Sequence, residues 1–270
     1  MVMPLGDMHP TRILPWVNYA LIAANILVFV LQSSLPEQFT ISYAATPYEI
    51  TRNTDLTEPV TLAVEVEVPD AFGNVRVEER EEVLPQGPVP FPVWLTLFSS
   101  IFMHGGLAHL GGNMLYLWIF GDNVEESLGH IRYLLVYLGC GLVASLSHVA
   151  IGPDSMIPSL GASGAISGVM GMYLVWFPQN RVRVLLGRVI TTMPASLVIG
   201  LWIVMQLVLG IGDLSTAGQG GGVAYAAHVG GAAAGIFFGL AFRSRAEQGG
   251  ELPLQLGWAS RQTRSGDPFR

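Results

Sequence analysis

The stretch SLGASGAISGVMGMYLVWF, residues 159–177, is apolar enough for a bilayer and too short to cross one. From Ser163 to Phe177 it holds fifteen residues. At about 1.5 Å per residue these fall well short of the roughly 30 Å of hydrocarbon in a membrane. Either the helix begins below the surface, or residues 152–162 descend to meet it. At its head stands Ser163 among Gly161, Ala162 and Gly164. The hydroxyl is a nucleophile or a small residue that lets two helices touch, and the rest of the chain has to decide.

Working outward, five further apolar runs occupy residues 16–31, 107–124, 131–151, 194–211 and 223–242. Six spans are therefore expected, in an all-α polytopic membrane protein. The composition agrees, with 51% of the 270 residues hydrophobic and 12% charged. The first run follows only Arg12 and lacks a small-residue cleavage pattern, so it reads as a retained span, not a signal peptide. All 13 basic residues are Arg. With a cytoplasmic N-terminus, ten of them (12, 132, 181, 183, 188, 243, 245, 261, 264 and 270) lie inside and three (52, 76 and 80) outside. That asymmetry places both termini in the cytoplasm. A net charge of −7 without a basic stripe argues against nucleic acid, and the single Cys140 excludes an internal disulfide framework.

The expected division is a short cytoplasmic N-terminus at 1–15, a membrane domain at 16–243 and a disordered cytoplasmic tail at 244–270. Within the membrane domain, residues 33–92 form an acidic external insertion with eleven Asp or Glu against three Arg. Its runs VTLAVEVEV and NVRVEEREEV alternate with period two around PDAFGN, which predicts a β-hairpin; the competing reading is a poorly ordered acidic loop.

Polar groups inside a bilayer are costly, so each is a functional candidate. In this orientation the second span enters from outside and carries His104, His109 and Asn113 at its outer end. His109 and Asn113 are four apart, on one helical face. The sixth span also enters from outside, with His228 about five residues, or some 8 Å, below its start. Ser163 opens the fourth. His109, Asn113, His228 and Ser163, from three spans, thus share one layer. Gly231, Gly235 and Gly239 in the sixth span, with Gly164 and Gly168 in the fourth, have the spacing that lets helices approach closely in lipid. Such packing would bring Ser163 to His228.

The chemistry implied is acyl transfer, with Ser163 as nucleophile and His228 as its base. His109, Asn113 and the Ser163 backbone N–H are the available oxyanion donors. Asp154 and Asp213 fall in loops, so no carboxylate orients the base and a dyad is expected. Taken singly, Ser163 is more often a packing residue, and GASG lacks the final glycine of the soluble hydrolase elbow. A lone His228 suits a proton relay, and His104 a structural place before the helix. His130 and His148 suit a wet interface, Gln206 an interhelical donor, and Trp16, Trp94 and Trp176 interfacial anchors. Common depth reverses these odds for Ser163 and His228.

HGGLAHLGGN, GASG and AHVGGAAAG, in this order, resemble the rhomboid family of intramembrane serine proteases, with similarity from about residue 15 to 242 outside most of the insertion. The resemblance implies a rhomboid-like bundle that cleaves membrane-anchored proteins in or next to a transmembrane segment, without metal or cofactor. It matches Ser163 to the nucleophile, His228 to the base, and His109 and Asn113 to the oxyanion hole. His104 matches a supporting histidine, Gly161 and Gly164 the glycines flanking the nucleophile, and Gly231 and Gly235 those pressing the last span on the fourth. The fifth span would border the substrate entrance. A Trp-Arg pair common in the first outer loop is absent from residues 33–103. Ser167 stands where some members place an aromatic ring against the histidine. Neither departure removes a catalytic group. A prokaryotic plasma membrane fits a bare six-span core. The alternatives are a catalytically silent client-binding relative and a histidine-lined channel or transporter; H-E-x-x-H metalloprotease spacing is missing.

Overall fold

The computed structural model describes residues 2–69, 75–215 and 224–243. In chain order the elements are β1 (Val2–Asp7), α1 (Trp16–Ser33), α2 (Glu37–Tyr43), α3 (Pro47–Arg52), β2 (Val60–Pro69) and β3 (Val75–Leu84). Then come α4 (Thr96–Ser99), α5 (Leu107–Leu128), α6 (His130–Ile151), α7 (Ser163–Trp176), β4 (Arg181–Leu186), β5 (Val189–Pro194), α8 (Ala195–Ser215) and α9 (Tyr225–Ala241).

The short helix α7 is the centre of the molecule. Eleven of its fourteen residues are buried. It packs against α5, α6, α8 and α9. A helix apolar on every side is a core helix, and one enclosed by its neighbours can begin inside the bundle. Around it, α1, α6 and α8 are long and apolar enough to cross a membrane. The turns over Val93–Phe102 and α5 meet at a 78° bend and together have the character of one broken or re-entrant span, while α7 and α9 are shorter apolar helices. Each expected apolar run therefore holds a helix. By length and composition three of these cross alone, or four with the bent pair.

Lipid is as apolar as leucine, so close packing, not hydrophobic expulsion, holds such helices together. Glycine makes that packing possible between α7 and α9. A Cβ at Gly231 would fall on the Gly164 carbonyl oxygen, and one at Gly235 on that of Gly168. Gly164 also faces α6, where an added Cβ would sit 2.5 Å from that of Ala144.

The chain is mostly helical, but all-α is corrected. β1, β4 and β5 form an antiparallel sheet in that order of β1-β4-β5. β4 and β5 are a hairpin turning at Gly187, whose φ of 62° suits glycine. Val182 and Val184 alternate onto its buried face. That hairpin leaves β4 with an open edge, and Val2–Asp7 pairs along it, so residues 2–15 are a docked strand and its link to α1. The first polar insertion also holds more than strands. β2 and β3 pair antiparallel from Val60↔Leu84 to Pro69↔Val75. Ahead of them α3 and the link that precedes it grip the loop that leads to Ser163. Ala45 and Ser159 exchange two backbone hydrogen bonds of 2.9 Å, and the Tyr48 N–H donates to the Ser155 carbonyl at 2.9 Å. The tail expected at 244–270 lies outside the described residues.

The end of the bundle away from Ser163 is joined by one carboxylate. Glu125 of α5 is fully buried. It accepts from the Val17 N–H at 3.0 Å and the Asn18 N–H at 2.7 Å, and stands 2.5 Å from His130 Nδ1 of α6. It thus caps the first turn of α1, which has no side-chain cap of its own. Tyr133 donates to Asn18 Oδ1 at 2.7 Å beside it.

Candidate active site

Ser163 is the first residue of α7 and His228 lies in the first turn of α9. The glycine contacts between these helices bring the two side chains together, with His228 Nε2 2.7 Å from Ser163 Oγ. Both residues are half-buried. A cavity large enough for a water molecule adjoins Ser163, bordered by Ser100, Ser145, Ser159 and Ala227.

Gly161 shapes the other side of the serine. Its φ is 127°, and the Cβ it lacks would stand 2.8 Å from His109 Cε1 and 2.9 Å from His109 Nε2. The imidazole of His109 therefore occupies space that only glycine leaves open. The Gly105 N–H donates to His109 Nδ1 at 3.3 Å. In the neutral ring this leaves the proton on Nε2, the nitrogen beside Gly161. The Gly161 N–H donates to the Ser100 carbonyl at 2.9 Å, which holds the loop in place.

One turn after His109, Asn113 is buried and its Nδ2 has no hydrogen-bond partner. An unspent buried donor is unusual enough to need an explanation. His104 precedes α5 and is 1% exposed, edge-on to His109 at a ring separation of 5.2 Å. Its backbone N–H donates to Gln32 Oε1 at 3.1 Å, and Gln32 Nε2 donates back to its carbonyl at 2.6 Å. His104 thus ties α1 to the turn before α5, a supporting place.

Two neighbours of His228 are not paired with it by a reading of the sequence. Gln206 of α8 puts Oε1 2.7 Å from His228 Nδ1, so the residue expected as a donor meets the ring through its carbonyl. Trp202, one turn earlier on α8, has its ring 5.6 Å from that of His228 at 44°. Their four-residue spacing on an apolar helix was the available signal. Ser167, in turn, donates to the Ser163 carbonyl at 2.6 Å. His130 is bound to Glu125, away from this site. Among the described residues no three His, Cys, Asp or Glu side chains converge as metal ligands do.

The arrangement can do acyl transfer: a hydroxyl against a base, with the His109 imidazole beside Gly161 on its other side. A family model, the Rhomboid domain, matches residues 92–245, which include every group above except Gln32. The chain is similar to Rhomboid protease GluP of Bacillus subtilis, 42% identical over 88 residues, covering 33% of this chain and 17% of that protein. It is similar to Rhomboid protein 1, mitochondrial, of Saccharomyces cerevisiae, 29% identical over 165 residues, covering 60% of this chain and 45% of the yeast protein. A human protein, Presenilin-associated rhomboid-like protein, mitochondrial, is 33% identical over 91 residues, or 33% of this chain and 24% of that one. Each match spans less than half of the curated relative.

Proposed function

Since this chain belongs to the rhomboid family, and is an integral membrane protein, we propose that it is a serine endopeptidase hydrolysing peptide bonds within or beside transmembrane segments of other membrane proteins. The observation that carries this reading is the 2.7 Å approach of His228 Nε2 to Ser163 Oγ across two helices with glycine at their contact.

In the reaction, Ser163 Oγ attacks the scissile carbonyl carbon while His228 Nε2 takes the hydroxyl proton. The oxyanion receives the Ser163 N–H, His109 Nε2–H and Asn113 Nδ2. The tautomer of His109 and the free amide of Asn113 support these roles. Collapse breaks the C–N bond as His228 passes its proton to the departing amine. A water, activated by the same imidazole, then cleaves the acyl ester and restores Ser163. The cavity beside Ser163 supports a path for that water. This chemistry asks nothing of a metal or cofactor.

Six crossings follow if α7 and α9 traverse a thinned bilayer and α5 counts with its bent partner. The arginine asymmetry then puts both termini in the cytoplasm and the β2–β3 ribbon outside. A prokaryotic plasma membrane suits this reading, although relatives include mitochondrial proteins.

The test is reconstitution of the purified chain in liposomes with a helical transmembrane substrate, comparing wild type with Ser163→Ala and His228→Ala. Cleavage by wild type alone, with covalent labelling of Ser163 by a serine-directed probe, is expected. Cleavage that persists in both variants would sink the mechanism.

A further inference from the structure

Gln206 is 5% exposed on a helix whose outward residues, Leu201, Val204 and Val208 among them, are open to lipid. A primary amide in such a setting is costly unless bonded. Its carbonyl oxygen lies 2.7 Å from His228 Nδ1, across the ring from Ser163. A neutral imidazole has one donor nitrogen and one acceptor. A carbonyl oxygen only accepts, so it keeps the proton on Nδ1 and leaves the Nε2 lone pair facing the serine hydroxyl. Trp202 stands against the same ring and narrows its freedom to rotate.

We propose that Gln206 is a positioning residue for His228, selecting through its amide carbonyl the one tautomer able to deprotonate Ser163. The proposal rests on the reading of His228 as the base. It completes a Ser-His-Gln relay in place of the bare dyad expected from the sequence. The third member is neutral, so it orients the imidazole without the charge by which a carboxylate would favour the imidazolium. His109 of α5 and His148 of α6 are the titratable groups that act electrostatically on His228, and both remain in every variant below.

The experiment uses the full chain in liposomes with the transmembrane substrate, as wild type, Ser163→Ala, Gln206→Leu and Gln206→Glu, with kcat and KM followed from about pH 5 to 9. In parallel, 15N NMR of histidine-labelled protein reads which nitrogen of His228 carries the proton. Gln206→Leu is expected to lower kcat by about 10- to 100-fold with KM within about twofold, and to give His228 a mixture of tautomers. Gln206→Glu is expected to hold the Nδ1–H tautomer and keep kcat within about tenfold of wild type. It also moves the acidic limb of the kcat/KM profile to higher pH, because a carboxylate favours the imidazolium. A merely structural glutamine would move neither the tautomer nor the limb. Wild-type His228 protonated on Nε2 overturns the proposal by itself, whether or not the leucine variant folds. So does a leucine variant with unchanged kcat and tautomer. If wild type and Ser163→Ala both leave substrate intact, the protease reading fails, while the tautomer measurement still decides the role of Gln206.

Discussion

A single missing methyl governs the space between Ser163 and His109. An alanine at 161 would press its Cβ to 2.8 Å from the His109 ring, at a φ that side chains rarely adopt. Gly161→Ala is expected to displace that imidazole and lower kcat by about 10²- to 10³-fold, the usual cost of one oxyanion donor. Single-turnover cleavage in liposomes checks it, and an unchanged rate would remove His109 from the oxyanion hole. Asn113→Ala should cost a similar factor with little loss of stability, because its Nδ2 has no partner to strand. The same kinetic assay, paired with thermal unfolding in detergent, separates the two effects. Ser163, His228, His109 and Asn113 were legible in the sequence as candidates because each is a polar group set in an apolar helix. The partnership of Gln206 and Trp202 with His228 was not. A helix facing lipid on one side and protein on the other is apolar on both, so its hydropathy pattern does not report which face turns inward.

Among elements, α1 depends on a carboxylate that belongs to another helix. Glu125 satisfies two backbone donors at the start of α1 while also holding His130 of α6. Glu125→Ala would leave those donors buried without a partner. It should destabilise the bundle by about 2–5 kcal/mol, at roughly 1–3 kcal/mol for each buried donor left unsatisfied. Denaturation in detergent micelles measures this, and a loss under about 1 kcal/mol would show that water replaces the carboxylate. The pairing of α7 with α9 is of the opposite kind, with no charge and no side chain at its tightest points. Gly231→Val would drive the helices apart at Gly164. The expected cost is about 1–3 kcal/mol from overpacking, with cleavage lost because the serine and histidine no longer meet. An active valine variant would separate packing from catalysis. The glycine spacing foretold this contact. The sheet was harder to read, since β4 and β5 are six residues each and β1 joins them from the far end of the chain.

For the whole molecule, the docking of β1 is the long-range contact most open to titration. Asp7 at its end is bound by the Tyr173 hydroxyl of α7 and by Asn123 Nδ2 of α5 at 2.8 Å, and it acts electrostatically on Asp122. Burial pushes its carboxyl above the ordinary 3.8, outweighing the Tyr173 hydrogen bond and the influence of His9. The folded state therefore keeps a proton that the undocked strand has released. This contribution is fully present below about 3.8 and is lost as pH rises through the raised value. Protection of the β1 amides, corrected for intrinsic exchange rates, should fall across that window. Asp7→Asn should flatten the dependence; protection independent of pH in wild type would exclude Asp7 as its source.

Composition, the six apolar runs and the polar residues set within them determined by themselves that this is a helical membrane protein, and they singled out the groups we propose to react. Hydropathy and residue chemistry are local properties, readable one segment at a time. Tertiary structure alone decided how α8 rotates to present Gln206 to His228, which strand closes the edge of β4, and how α3 and the link before it hold the loop before Ser163. These depend on which distant surfaces meet, and no single segment carries that information. The two readings of Ser163 meet at the same level: the glycine packing that suggested a merely small residue is what draws the hydroxyl to within 2.7 Å of an imidazole.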